Sequence, residues 1–252
     1  MVEVDRPRYD AGEHAMLDSR APQAAAFAEQ IIATSKPFLP SRPWTVLDVG
    51  CGYGHTALEL ARRCERVVGI EPAAPLAEHG IQLAAISRLP NFEVRHQSIY
   101  ELPEREAFDL VVLDNVFEHL PDQRRALSVL SAALRPGGAM YLLMPNKLWP
   151  IEVHYRLPFL SYLPLPLANA YLRASGRGTD YTDASYAPTY FGLRHMLDEH
   201  PELAYEFVLP ANLSLAANGQ ALHYKLGVAA IRRFPALWAI SKAFLVMAVK
   251  RG

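Results

Sequence analysis

Residues 46–61 read VLDVGCGYGHTALELA: a short apolar run broken by Asp48, glycine at 50, 52 and 54, then alanines and leucines at helical spacing. A strand that ends in alternate glycines and turns straight into a helix is a corner built for close approach to its backbone. In doubly wound sheets, ligands sit beyond the carboxyl ends of the strands, where backbone N–H groups and helix N-termini point outward. Gly50, Gly52 and Gly54 are predicted at that edge. Glu71 follows Gly50 by 21 residues, at the end of the apolar run 67–70, and is placed to accept hydrogen bonds from ribose hydroxyls. With Asp48 before the glycines and a helix after them, these features describe a nucleoside pocket. The dinucleotide fingerprint G-x-G-x-x-G requires glycine where this chain has His55, which disfavours pyrophosphate and weakens a nicotinamide-dependent oxidoreductase as the alternative enzyme.

Outward from the corner, strand and helix patterns alternate. Buried strands are predicted at 44–49, 67–70, 92–95, 110–113 and 139–144, with helices at 55–64, 74–87 and 123–134 between them. The helix at 74–87 offers Leu76, Ile81, Leu83 and Ile86 as core residues. An N-terminal helix at 22–38 precedes the first strand, with Ala24, Phe27 and Ile31 on one face. After it, 191–200 reads as a helix, 203–209 as a strand, 229–242 as a helix and 244–249 as a last, buried edge strand. Alternation of this kind implies a parallel sheet covered on both faces. Residues 145–190 differ, because six prolines at 145, 150, 158, 164, 166 and 188 exclude one long helix and suggest a structured insertion.

Composition narrows the function class. With 252 residues, 51% of them hydrophobic, the chain can bury a sizeable core, and one domain is the expectation. A formal net charge of −1 without charge blocks gives no electrostatic argument for nucleic acid. Two cysteines, Cys51 and Cys64, are too few for a disulfide framework, and the charged start MVEVDRPRYD lacks the apolar centre of a secretory signal. With no long uncharged apolar stretch, the expectation is a cytoplasmic protein without stable membrane insertion. Aromatic and basic residues in 234–252 raise a membrane-surface helix as a second possibility, against which the strand at 244–249 is preferred. The nine histidines show no metal-ligand spacing, so metal independence is expected.

At D-x-G-C-G-x-G the chain resembles the class I S-adenosylmethionine-dependent methyltransferases. The similarity continues through Gly69-Ile70-Glu71-Pro72, Phe108-Asp109-Leu110-Val111-Val112, the run from Asn115 to Asp122 and Leu134-Arg135-Pro136-Gly137-Gly138. The resemblance implies a doubly wound, mostly parallel seven-stranded Rossmann-like sheet ending in an antiparallel pair, with a substrate lid inserted after strand 5. The implied layout is a single domain over 1–252: an N-terminal segment 1–43, a cofactor core 44–144, a lid 145–190 and C-terminal elements 191–252. It further implies that Asp48, Gly50, Cys51, Gly52 and Gly54 hold the methionine part of S-adenosylmethionine, Glu71 and Pro72 the ribose side, and Asn115 the sulfonium end. Ser98 and Ile99 occupy the loop that faces the adenine, without the acidic residue usual there. Glu118 and His119 match a motif shared across different reactions and are taken as structural. A looser likeness, P-N-x-x-W-P followed by H-x-x-L-P-F-L, points to methyltransferases of bacterial glycan, glycolipid and natural-product pathways.

The acceptor side is read from chemistry. A sulfonium methyl is already activated, so the protein has to exclude water and hold a nucleophile in line. The insertion offers His, Tyr and Asp groups but no cysteine, which favours O-methylation of a small-molecule, sugar or lipid-like acceptor. His154 is the expected general base or acceptor-orienting group, with Tyr190 and His223 as further catalytic candidates and Tyr155, Asp180 and Tyr181 as competitors. A catalytically silent nucleoside-binding scaffold remains the third possibility.

Overall fold

The computed structural model describes residues 21–212 and 221–252. Seven strands form one sheet in the order β3-β2-β1-β4-β5-β7-β6, with β1 Thr45–Val49, β2 Arg66–Glu71, β3 Phe92–His96, β4 Phe108–Asp114, β5 Leu134–Pro145, β6 Leu203–Phe207 and β7 Ala243–Lys250. The first five run parallel, and β7 lies antiparallel to both β5 and β6. Two apolar layers cover the sheet. One contains Leu47, Val68, Leu113, Leu127 and Phe244, the other Ile31, Val46, Val67, Leu110 and Tyr141, so alternate residues of each strand feed opposite faces.

Helices connect the parallel strands: α1 Ala24–Ser35 before β1, α2 His55–Ala61, α3 Ala74–Ser87 and α4 Gln123–Ala133. On α1 the buried face is Ala24, Ala28 and Ile31, while Phe27 is only half-buried. On α3 Leu76 is buried as expected, but Ile81 and Ile86 are 43% and 74% exposed. The inward face is Ala77 and Gly80 instead, because α3 lies close against the glycine corner. A Cβ on Gly80 would stand 2.9 Å from Val94 Cγ1, so only small residues fit there and the isoleucines turn outward.

The C-terminal part departs further from the sequence expectation. The helix placed at 229–242 is α7 Leu222–Arg233 followed by a 3-10 turn Pro235–Ile240. Pro235 has no N–H and forces Phe234 out of helical geometry, at φ −135°. Strand β7 is not an edge: it pairs on both sides, and β6 takes the edge. α6 Tyr190–Asp198 begins one residue earlier than expected. Among the described residues no helix is long and apolar enough to cross a membrane.

Residues 145–190 fold on their own small core of Leu157, Leu160, Ala168, Leu172, Tyr181 and Ala184, around α5 Leu165–Ala174. Asn146 ties the segment's start to the C-terminal elements by donating to the carbonyls of Ala239 and Ser241, at 3.1 and 2.8 Å. Its far end is fixed by Gln123, whose amide donates to the carbonyls of Phe117 and Tyr186, both at 2.8 Å.

At the amino-terminal pole, Asp109 fixes the start of the sheet. Its buried carboxylate accepts from the Thr45 N–H at 2.8 Å, from Arg135 at 2.8 Å and from both terminal nitrogens of Arg42. Asp109→Ala is expected to destabilise the protein by about 2–4 kcal/mol, nearer the lower end because both arginines are partly solvated. Urea unfolding measures this, and a change under about 0.5 kcal/mol would reduce the cluster to a surface contact.

Candidate active site

The carboxyl ends of β1, β2, β4 and β5 meet at one pole. There the backbone at Gly50, Gly52 and Gly54 adopts φ of 65°, 56° and 82°. At Gly50 the glycine is required twice, since the φ is left-handed and a Cβ would meet Val116 Cγ2 at 2.7 Å. At Gly52 a Cβ would meet nothing within 4 Å, so the corner opens onto a space that a ligand can enter.

Three carboxylates surround this corner. Glu71 at the end of β2 is buried and spans it, with Oε2 accepting from Gly52 N–H and Oε1 from Ala73 N–H, each at 2.9 Å. Asp48 is buried inside β1. Burial first, then the neighbouring Asp114 and Glu71 carboxylates, push its pKa up to about 8. Such a concentration of acceptors suits a ligand carrying positive charge and hydroxyl groups, and S-adenosylmethionine, with its sulfonium, ammonium and ribose, matches that donor requirement.

The other residues assigned to the cofactor fall around the same pole. Asn115 follows β4 at φ 56° and donates to Asp114 Oδ1 at 2.6 Å. Ser98 caps the 3-10 turn Ile99–Glu101 by accepting from Tyr100 N–H. The exposed Pro72 presents its carbonyl to His96 Nε2 at 3.0 Å. Cys51 packs its sulfur against Gly69, and its thiol is pushed well above the ordinary range by burial and then by Asp48 and Glu71, so it is an inert apolar group. Ile99 packs inward. The residue is 4% exposed and belongs to the core.

A second constellation lies just beyond β4 and β5. His154 Nδ1 stands 2.7 Å from Glu152 Oε1, and Glu152 Oε2 accepts from Tyr155 N–H at 2.7 Å. Burial opposes ionisation of Glu152, but the hydrogen bonds from His154 and Tyr155 outweigh it and hold the carboxyl below its usual range. Across from them is the turn Phe117–His119. The His119 and His154 rings meet edge to face with centroids 5.2 Å apart. Glu118, fully buried, brings Oε1 to 3.8 Å from His119 Nε2 and 4.0 Å from His154 Nε2, and Asp183 Oδ2 lies 3.4 Å from His119 Nδ1.

The remaining catalytic candidates fall elsewhere. Tyr190 sits among Phe191, Phe207 and Phe244 with Arg194 over its ring, an environment of packing. His223 lies exposed in the first turn of α7, not in a loop. Tyr155 donates to the Asp180 carbonyl, Asp180 caps its own loop by accepting from Thr182 N–H, and Tyr181 is buried in the small core of 145–190. Residues missed from sequence are Glu118, His119, Glu152 and Asp183. Only the Glu118-His119 pair carried a signal, and it was read as structural. A cleft of about 400 Å³ beside Leu197, Pro201, Tyr205 and Arg251 opens at the opposite pole and has none of these groups.

A family model described as a methyltransferase domain matches residues 46–138. Over 104 residues the chain is 36% identical to a "Probable S-adenosylmethionine-dependent methyltransferase" of Mycolicibacterium smegmatis, covering 41% of this chain and 38% of that protein. It is 37% identical over 111 residues to a trans-aconitate 2-methyltransferase of Deinococcus radiodurans (42% and 40% covered). With the human mitochondrial ubiquinone biosynthesis O-methyltransferase the identity is 31% over 142 residues (53% and 37%). The matches thus span about two fifths of these relatives' length. Among solved structures, the plantazolicin methyltransferase BpumL in complex with SAH superposes with a TM-score of 0.61 at 14% identity, covering 96% of this chain and 91% of that one. At that identity the likeness shows the fold.

Proposed function

We propose, from the match of residues 46–138 to a methyltransferase-domain model and to S-adenosylmethionine-dependent relatives, that the whole chain transfers a methyl group from S-adenosylmethionine to an oxygen of a small-molecule, sugar or lipid-like acceptor held under residues 145–190. The observation that carries this reading is the single pole shared by two sets of groups: the acidic glycine corner and the Glu118–His119–His154 constellation. S-adenosylmethionine supplies a methyl group already activated on a sulfonium. The chain's own work is to bind, orient and exclude water.

In this reading Glu71 accepts from the ribose hydroxyls, ionised Asp48 faces the positive end of the methionine portion, and Asn115 closes the pocket beside it. Residues 1–252 act as one domain, with 145–190 as the lid over the core 44–144. The acceptor's apolar character is supported by the exposed Leu148, Ile151, Phe159, Tyr162 and Leu167 of that segment. Oxygen is favoured as the nucleophile because imidazoles and carboxylates meet at the acceptor end, while Cys51 packs in the glycine corner and Cys64 lies at the opposite pole just before β2, both with raised thiol pKa values. His154, fixed by Glu152, positions the acceptor oxygen.

Titration calorimetry tests the cofactor half. S-adenosylmethionine should bind and a nicotinamide dinucleotide should not. Asp48 is mostly protonated at pH 7 when the pocket is empty, since its pKa is raised to about 8, and a cationic ligand favours the ionised form. Binding is therefore expected to release up to about one proton at pH 7, seen as an enthalpy that depends on the buffer, and none at pH 9 or in Asp48→Asn. Affinity should rise with pH up to about 8 and then level off. The acceptor half is tested by release of S-adenosylhomocysteine with panels of alcohols, phenols and carboxylic acids, the new methyl located by mass spectrometry. Cofactor binding without turnover on any acceptor would leave the scaffold reading in its place.

A further inference from the structure

We propose that Glu118, His119 and His154 form a binding site for one divalent transition-metal ion, with zinc as the best-matched cation. One donor atom from each lies within 4.8 Å of the others, and the groups come from two segments with 34 residues between them that only the fold brings together. Nothing in the cofactor corner takes part in it.

The orientation of the two imidazoles is the decisive feature. Each has Nδ1 directed at an acceptor oxygen, His154 at Glu152 Oε1 (2.7 Å) and His119 at Asp183, whose carbonyl oxygen and Oδ2 both stand 3.4 Å away, and each has Nε2 directed at the same oxygen, Glu118 Oε1. When Nδ1 donates to a carboxylate, the neutral ring presents a lone pair at Nε2. Two such lone pairs then converge with a carboxylate oxygen, which is the donor arrangement a divalent transition-metal ion takes. A proton shared as an N–H···O hydrogen bond would draw nitrogen and oxygen to about 2.9 Å. Ligands of one tetrahedral zinc lie about 3.4 Å apart. The observed 3.8 and 4.0 Å are closer to the second geometry and need only a small contraction to reach it.

Chemistry of the donor set selects the cation. Two imidazoles and one carboxylate suit zinc and its neighbours in the transition series, and are a poor match for magnesium or calcium, which prefer all-oxygen shells. The carboxylates behind each Nδ1 fix ring orientation and raise the basicity of the ligating nitrogen, as outer partners of metal-bound histidines do. Three protein ligands leave a coordination position open. Resting on the methyl-transfer reading, that position would take the acceptor's hydroxyl or carboxylate oxygen and lower the pKa of a bound hydroxyl, whose proton passes to solvent.

The test needs no turnover. Chelator-treated full-length protein is titrated with zinc chloride in a calorimeter, and separately with cobalt(II), whose visible absorption reports coordination by nitrogen and oxygen. One equivalent of zinc should bind, with His119→Ala and His154→Ala weakening it at least 10-fold and Glu152→Gln weakening it measurably. Magnesium should bind at least 100-fold more weakly than zinc. Absence of stoichiometric zinc binding, or binding unaffected by both histidine substitutions in folded protein, overturns the site. S-adenosylmethionine affinity is measured on the same samples. Zinc bound without cofactor affinity would sink the methyltransferase reading alone, and cofactor bound without zinc would sink the metal site alone.

Discussion

Glu71→Ala is expected to weaken S-adenosylmethionine binding by about 1.5–3 kcal/mol, roughly 10- to 150-fold, the scale of charged hydrogen bonds. The upper part of that range is favoured by what Glu71 does before any ligand arrives. Its two oxygens hold the N–H groups of Gly52 and Ala73, so the carboxylate links β2 to the glycine corner and sets the corner's shape. On the proposed reading, removing it deprives the ribose of its acceptor and frees the backbone that approaches the cofactor. Glu71→Gln keeps one acceptor but turns a donor toward a backbone N–H, so an intermediate loss is expected. Calorimetry measures both, with circular dichroism to verify folding. Unchanged affinity in folded Glu71→Ala would remove the residue from the site.

At saturating cofactor, His154→Ala should lower turnover about 100-fold or more while leaving cofactor affinity within roughly 2-fold. The split between the two readouts follows from position. His154 lies in the segment after β5 and meets Glu118, His119 and Glu152, whereas the cofactor groups project from β1, β2 and β4. Glu152→Gln should fall between the variant and the wild type. It preserves the shape of the Glu152 side chain but weakens the bond that orients the ring, and a loss of about 10-fold is expected. A drop below about 5-fold in His154→Ala would assign the imidazole to packing. Equal losses in turnover and cofactor affinity would instead mean that the substitution disturbs the whole pole.

The parallel core was legible because its signals are local. Apolar runs of strand length, the glycines at 50, 52 and 54 and the acid at 71 each express a constraint satisfied within a few residues, and the sheet places β1 to β4 within a residue or two of their expected bounds at most ends. Errors appear where a neighbour decides. Ile81 and Ile86 are as hydrophobic as Leu76, yet the approach of α3 to the glycine corner selects the small residues Ala77 and Gly80 and turns the isoleucines to solvent. Periodicity alone cannot choose between two apolar faces of one helix. Pro235, by contrast, was visible in the sequence and its local rule was overridden too readily by the apolar run around it.

By itself, then, the sequence determined the fold class and the acidic glycine corner, since glycine conformation, strand burial and carboxylate position are all encoded at short range. The constellation of Glu118, His119, Glu152, His154 and Asp183 was decided by tertiary structure. Glu118 and His119 close β4, Glu152 and His154 follow β5, and Asp183 returns from the far end of the 145–190 segment. No spacing rule links these positions, because the distances between them in the chain are set by the lengths of a helix, a strand and a loop. Their distances in space, 2.7 to 4.0 Å, are set by the pairing of β4 with β5 and by the small core that folds the insertion back over both.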